Sequence, residues 1–391
     1  MKAIARLVRM TDLFLILAAI FYALPGQAGQ PAIIVFDPPG STGTNPNYIN
    51  PAGDVVGSYT DANHVARGFL RTADGAIVTF AYPNCIGAQF GPATFINPAG
   101  VITGNCVDAG FASRGFVRTA DGTVTAVDPL GSTSSTVVGI NPAGMVTGSY
   151  NDANSVSHGF VRAAGGTVTT IDPVSSTGTT VAGINPAGVI AGTYNDSNSV
   201  SHGFVRAANG TITTFDPPGG SFTGVLAINT NGTVLGTYVD NASGNSQVFL
   251  RAAGGAFTTF ELPGGLAFLF SPFLINARGE VTGSYFSNTE FALVNFLRTA
   301  KGTITTITVP GGFVTPSGIN DSGAIGGDFC TFVGFNEVCH GFLQTANGTV
   351  TTFDPPGSTF TNTASINSGG RLTGDYIDAN FASHGFVLAN H

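Results

Sequence analysis

The stretch that decides the fold is Thr136 to Asp172, TVVGINPAGMVTGSYNDANSVSHGFVRAAGGTVTTID. Four short β-strands can be read from it. The first is TVVGI. The turn Asn141-Pro142-Ala143-Gly144 follows, with Pro suited to its second position and Gly to its end. MVTGSY is the second strand, and the loop Asn151 to Ser157 leads to a third, HGFVRA. A tight Gly165-Gly166 turn joins it to the fourth, TVTTI. In other copies that turn is Asp-Gly (Asp74, Asp121) or Asn-Gly (Asn209, Asn347), the dipeptides that suit a hairpin needing positive φ. Asp172-Pro173 then ends the strand, since Pro cannot donate to a β-ladder.

Working outward, the same unit returns along the chain. Ile-Asn recurs at Asn50, Asn97, Asn141, Asn185, Asn229, Asn276, Asn320 and Asn367, in steps of 44 or 47 residues. Four strands in that span is the size of one propeller blade. Helical repeats fail because Gly, Thr, Val and Pro dominate and no 3.6-residue apolar stripe appears. A β-solenoid would leave two open ends in need of caps. The chain ends point to closure instead. The eighth repeat stops at HGFVLANH, residues 384–391, without a fourth strand. A fourth-strand sequence stands alone at Ala32 to Pro39, AIIVFDPP, comparable to TITTFDPP at 211–218 and TVTTFDPP at 349–356. The expectation is an all-β, eight-bladed β-propeller of four-stranded antiparallel blades. Its N-terminal strand completes the last blade and removes two free sheet edges. The Phe of the third strand occurs in every repeat: Phe69, Phe116, Phe160, Phe204, Phe249, Phe296, Phe342 and Phe386. This regularity marks it as the packing residue between blades, not a ligand platform.

Composition bounds the rest. Of 391 residues, 43% are hydrophobic and only 9% charged, against about 25% in an average soluble domain. The polar surface must therefore be built from Ser, Thr, Asn and Gly. A net charge of −8 with Lys2 and Lys301 as the only lysines argues against a nucleic-acid partner. Residues 1–28 read as a secretory signal peptide. Lys2, Arg6 and Arg9 form its basic start, Leu13 to Leu24 its apolar stretch, and Gly26-Gln27-Ala28 its cleavage site. Twelve apolar residues are short for a span, which needs about 20. The expected domain is then 29–391, exported to the extracellular space or periplasm, with no membrane span after cleavage and monomeric. Four cysteines in an exported chain favour disulfides. Cys330 and Cys339 flank one loop and are paired first; Cys85 with Cys106 follows by elimination. The spacings do not suit zinc.

The third-strand motif, SHGFVRA (157–163 and 201–207), CHGFLQT (339–345) and SHGFVLA (383–389), resembles the HAF family of extracellular repeats. The layout Ile-Asn…Gly-x-Tyr…His-Gly-Phe recurs with substitutions throughout 32–391. Gly stands here where that family's motif has Ala. Arg67, Arg114, Gln247 and Val294 replace the His, and Cys106 and Phe329 replace the Tyr. The resemblance implies an exported repeat protein and carries no assigned reaction or catalytic residue.

Candidate sites sort by face. The Asn-Pro-Ala-Gly and Asp-Gly turns fall on one face, and the Asp-Ala-Asn loops with the Asp-Pro-Pro-Gly crossovers on the other. Longer loops on a rigid frame are where binding residues sit. The loop acids are Asp61, Asp108, Asp152, Asp196, Asp240 and Asp378, with Asn63 and Asn154 beside two of them. A ring of oxygen ligands would serve calcium or a glycan, although calcium wants six to eight oxygens in one place. The competing reading is an Asx-turn, in which each Asp binds its own backbone. His158, His202, His340 and His384 are expected to hydrogen-bond the neighbouring crossover. Arg71, Arg118, Arg162, Arg206, Arg251 and Arg298 are read as outward-facing solubility residues or partners of Asp, not anion receptors. Glu290 and Glu337 are the best pair of acids outside the repeat pattern. The expected function is a binding or structural interaction module for an extracellular glycan or protein, without cofactor. An extracellular glycan-directed hydrolase or lyase at the channel mouth is the alternative.

Overall fold

In the computed structural model, residues 32–82, 85–87, 95–269, 273–309, 312–333 and 336–389 are described. The expected signal peptide, 1–28, lies outside them. The described chain is all-β. Repeat three shows why the sequence folds so: Ser134–Ile140, Val146–Asn151, Ser157–Arg162 and Val168–Ile171 form a four-stranded antiparallel meander. Gly166 takes φ +99° in its last hairpin turn, which an L side chain rarely adopts. Repeat four repeats the register residue for residue, Gly192 facing Phe204 as Gly148 faces Phe160.

Repeats one, three, four and seven form four-stranded sheets of this kind. In repeat two the first strand is in two pieces, Cys85–Gly87 and Phe95–Ile96, and five strands result. Repeats five and six are joined into one nine-stranded sheet through the single pair Ser246–Leu266. The eighth sheet takes its outer strand from the other end of the chain: Ile33–Phe36 runs antiparallel to Ser383–Leu388, Val35 opposite Phe386. Among the described residues no helix is long and apolar enough to cross a membrane.

The core lies between sheets. Val117 and Val127 of repeat two pack with Val137, Val146 and Phe160 of repeat three, and Val161 and Ile171 with Val181, Ile190 and Phe204 of repeat four. Phe36 and Val387 pack with Ile49, Val55 and Phe69 of repeat one. All eight third-strand Phe side chains are buried, each worth about 2–3 kcal/mol of removed apolar surface. A Gly precedes six of them, Val248 and Asn295 being the exceptions, and at repeat three it lets the next sheet close in: a Cβ at Gly159 would lie 3.0 Å from Val181 Cγ2.

The Ile-Asn asparagines are buried as well. Each Oδ1 caps its own turn, as Asn141 Oδ1 accepts the Met145 N–H at 2.9 Å. Several side-chain amides reach the next repeat. Asn229 Nδ2 donates to the Asn276 carbonyl, Asn276 to Asn320, Asn320 to Asn367, and Asn367 to Asn50, at 2.9–3.2 Å.

Candidate functional site

In a four-stranded meander the second-to-third loop and the exit from the fourth strand fall at the same end. Here side chains tie them together. Asp152 Oδ1 accepts the N–H groups of Asn154 and Val156 at 2.8 and 2.9 Å, which closes an Asx-turn. Asp61, Asp108, Asp196 and Asp378 do the same in their loops. Asp240 instead takes the Ser243 hydroxyl and N–H. These bonds hold the carboxyls below the ordinary range. For Asp61 and Asp108 the largest cause is the bond from Arg67 and Arg114; for Asp152, Asp196 and Asp378 it is the backbone N–H four residues on. Carboxylates so engaged are turn formers. Asn63 and Asn154 contribute backbone N–H groups to these turns.

The histidines reach the crossover, as expected. His158 Nδ1 meets Asp172 Oδ2 at 2.8 Å; His202, His340 and His384 meet Asp216, Asp354 and Asp37 at 2.7 Å. Asp37 raises the His384 pKa, with Asp378 adding to it. The crossover carboxylates then accept a hydroxyl from the following repeat: Thr44 to Asp37 at 2.6 Å and Thr361 to Asp354 at 2.8 Å. Nε2 of His158, His202 and His384 faces the loop Asp of the same repeat at 3.7 Å. Arg67 and Arg114 stand at the same position and bond Asp61 and Asp108 at 2.7 and 2.8 Å. Gln247 donates to Glu261 at 3.0 Å. Repeat six has Val294 there, and the Tyr285 hydroxyl donates to the Pro263 carbonyl instead.

The regular arginines correct the sequence reading. Arg71, Arg118 and Arg298 are buried. Their guanidinium groups lie over Phe36, Phe80 and Phe260 of the preceding sheet, 4.5–5.2 Å from the ring centroids, as Arg251 lies over Phe215. The side chain spans from one sheet to the next because its apolar stem and flat head can share a dry interface.

Glu290 and Glu337 stand in different settings. Glu290 lines a cavity of ≈ 260 Å³ between repeats six and seven, with Leu293, Ile307 and Phe313. Glu337 is exposed beside Cys330 and Cys339. The three have ligand atoms within 4.8 Å of one another, but the two sulfurs are bonded to each other, so no thiolate is offered. Cys85 and Cys106 form the second disulfide, as expected.

Two acids that also break the repeat pattern, but that the sequence reading ranked below Glu290 and Glu337, are set apart by their environment. Asp328 and Asp375 occupy the second-strand position of Asn105, Ser149 and Thr193, which each accept a backbone N–H from the next repeat (Val137, Val181 and Val225, at 2.7–3.0 Å). Asp328 takes the same bond from Thr363. Its burial pushes the carboxyl up to about 6, with Asp375 adding to the rise. For Asp375 the matching residue is Pro46, which has no N–H. Asp375 accepts from Asn362 Nδ2 at 3.0 Å and Ser383 Oγ at 3.4 Å, and burial raises its pKa too. The signal lay in alignment of the repeats: an acid where the others carry a neutral polar residue.

The loop-bearing end is also where the most exposed large apolar side chains gather. Phe111, Phe291 and Phe381, at 78–91% exposure, sit at loop tips with φ of +51° to +64°. Leu130 and Val174, more than nine-tenths exposed, lie on crossovers. At the opposite end, among the described residues, the Asn-Pro-Ala-Gly and Asp-Gly turns present no exposed large apolar side chain.

No family model matches this chain, and no curated protein matches it. Solved structures do match. Dipeptidyl peptidase 4 from Porphyromonas gingivalis aligns with a TM-score of 0.57 and 11% identity, over 88% of this chain and 57% of that one. A structure from an analysis of two prolyl endopeptidases aligns at 0.56 and 11%, over 89% and 55%. This chain therefore spans little more than half the length of either. The β-propeller domain of the Trilobed protease from Pyrococcus furiosus, which has an open velcro topology, aligns at 0.50 and 11%, over 80% of this chain and 99% of that domain. At this identity the likeness concerns the fold, and the fold these sheets share with the Pyrococcus domain is the β-propeller.

Proposed function

We propose that this chain is an exported, monomeric, eight-bladed β-propeller that acts as a binding or structural interaction module. Its partner, an extracellular glycan or protein, meets the end bearing the Asp-Ala-Asn loops and the Asp-Pro crossovers. The pairing of Ile33–Phe36 with Ser383–Leu388 supports a closed ring, as do the bonds from Asn367 to the Asn50 carbonyl and from Ser383 to the Thr44 carbonyl. That arrangement differs from the open velcro topology of the Pyrococcus domain. The two disulfides fit an oxidising extracellular or periplasmic compartment.

The observation that carries the binding reading is the contrast within the loops. Their carboxylates are committed to turns and clamps, while three of their tips hold Phe in a left-handed backbone that disfavours it. A phenylalanine kept in water under that strain is explained by a contact it makes with a partner. The test replaces Phe111, Phe291 and Phe381 together by Ser, the residue at the same tip in repeats three and four (Ser155 and Ser199). Residues 29–391 and the triple variant are screened on glycan and protein arrays, with thermal shift as second readout. Binding is expected to vanish while the melting temperature holds; undiminished binding by the variant sinks the proposal.

The alternative is a glycan-directed hydrolase or lyase at the channel mouth. Asp328, held near 6, is the group that favours it, since a general acid needs such a pKa. Its bonds to Thr363 tie it to the neighbouring sheet and favour the module.

A further inference from the structure

A cavity of ≈ 410 Å³ opens between repeats four and five, at the end opposite the exposed phenylalanines. That volume falls in the range of small-molecule sites. The residue four places after the Ile-Asn asparagine is short at this junction. At the junction of repeats three and four, Met145 reaches across, its Sδ 3.4 Å from where a Cβ would stand on Gly188. Glu280 lies similarly against Gly323, and Arg371 against Gly53. Repeat four has the shorter Val189. The space at Gly232 then meets Ala253 and the Asn185 amide, with Val189 out of reach.

Two polar side chains at this cavity carry donors that meet no acceptor among the described residues. Asn185 is 97% buried, with 3% of its surface exposed, and its Oδ1 accepts the Val189 N–H. Its Nδ2 meets no acceptor among the described residues, whereas the equivalent amides of Asn229, Asn276, Asn320 and Asn367 all donate to the next repeat. Arg251 lies over Phe215, and its Nη1 reaches only the Ala252 carbonyl at 3.4 Å. Its Nε is buried without a hydrogen bond, as are those of Arg71, Arg118 and Arg298, and among the described residues no carboxylate pairs with it; what sets Arg251 apart is the cavity beside it. The adjoining turn is Gly254-Gly255, where repeats one and two carry Asp74 and Asp121. The remaining wall includes Val189, Val205 and Thr213. A site of donors and one fixed positive charge on an aliphatic wall calls for an anionic acceptor with an apolar body.

We propose that this cavity binds a small carboxylate with a compact aliphatic body, its oxygens on Arg251 and Asn185 and its hydrocarbon against Val189 and Val205. This site is independent of the module reading, since it lies on the other face. Free acids and peptide C-termini share the chemistry, so the probes are isovalerate, N-acetylvaline and N-acetylvaline amide. Each is titrated into residues 29–391 by protein-observed NMR and calorimetry. Isovalerate, N-acetylvaline or both should bind saturably and the amide at least tenfold more weakly. Val189→Met, which borrows the residue of the adjacent junction, should abolish binding with an unchanged melting temperature. Arg251→Gln should weaken binding at least tenfold. Arg206→Gln, at the Met145-filled junction, should leave it unaltered and controls for a general loss of Arg packing. The inference is overturned by no saturable signal up to about 10 mM, where even weak ligands register. Equal binding of acid and amide overturns it too, as does full binding by both Val189→Met and Arg251→Gln.

Discussion

Repeats three and four are near copies, and repeats five and six are not. In the first pair each crossover Asp is clamped by a His, and the two sheets stay separate. In the second pair Gln247 and Glu261 make a neutral-to-acid version of the clamp, Val294 and Thr308 make none, and the sheets run together through Ser246 and Leu266. Yet Phe160, Phe204, Phe249 and Phe296 are buried alike. Packing between sheets is thus the constant of the repeat, and the clamp at the loop end is its variable. The exposed Phe291 and the Glu290 cavity appear where the clamp has been dropped.

The largest effect should be blind to this difference. Phe204→Ala and Phe249→Ala are each expected to cost about 3–5 kcal/mol, read as denaturant midpoints; a markedly smaller loss in repeat five would show that its core is not the same structure. Removing the Cys85–Cys106 disulfide, which closes a loop 21 residues apart, should cost about 3 kcal/mol. Chemical denaturation of the double Ala variant checks that figure. The clamp itself should be a smaller quantity. His202→Ala is expected to lose about 1 kcal/mol, while Val294→His should gain nothing alone and recover stability only when combined with Thr308→Asp. Additivity of those two substitutions would break the clamp argument.

A pH series extends the comparison to repeats seven and eight. The Asp328 carboxyl titrates near 6 when folded and near 3.8 when unfolded. The folded state therefore holds a proton that the unfolded chain has released, and stability falls as pH rises from about 4 through about 6. His384, raised by Asp37, acts in the same sense: its contribution is full below the unfolded value of 6.5 and is lost as pH rises through the folded one. Asp328→Asn should flatten the first fall and raise stability at pH 8, measured by urea melts at pH 5 and pH 8. The smallest effect belongs to the loop tips. Phe381→Gly relieves a φ of +64° and should gain up to about 1 kcal/mol, the opposite sign to every core change.

The period, the strands, their turns and the packing Phe were legible because each follows from local chemistry repeated many times. The His-to-crossover bond was legible from spacing, since His and the crossover Asp sit 14 residues apart, on either side of one hairpin. The burial of Arg71 and Arg118 was not, because the ring each one covers belongs to the preceding repeat and a polar residue two places after Phe reads as solvent-facing. Asp328 and Asp375 were visible as departures, but their raised pKa depends on what stands opposite in the next sheet, Thr363 in one case and Pro46 in the other. The cavity beside Arg251 is walled by Val189 and Val205 of the preceding unit. What the sequence hides is the pairing of unlike neighbours.

The partnership of Ile33–Phe36 with Ser383–Leu388 has a bearing on biogenesis. The earliest of these strands to be synthesised has to wait for the last before its sheet can form. The other sheets can collapse around their own meanders while that one stays unmade. If the chain is exported in extended form, as proposed, its assembly finishes on the far side of the membrane, where cystine bonds are made as well.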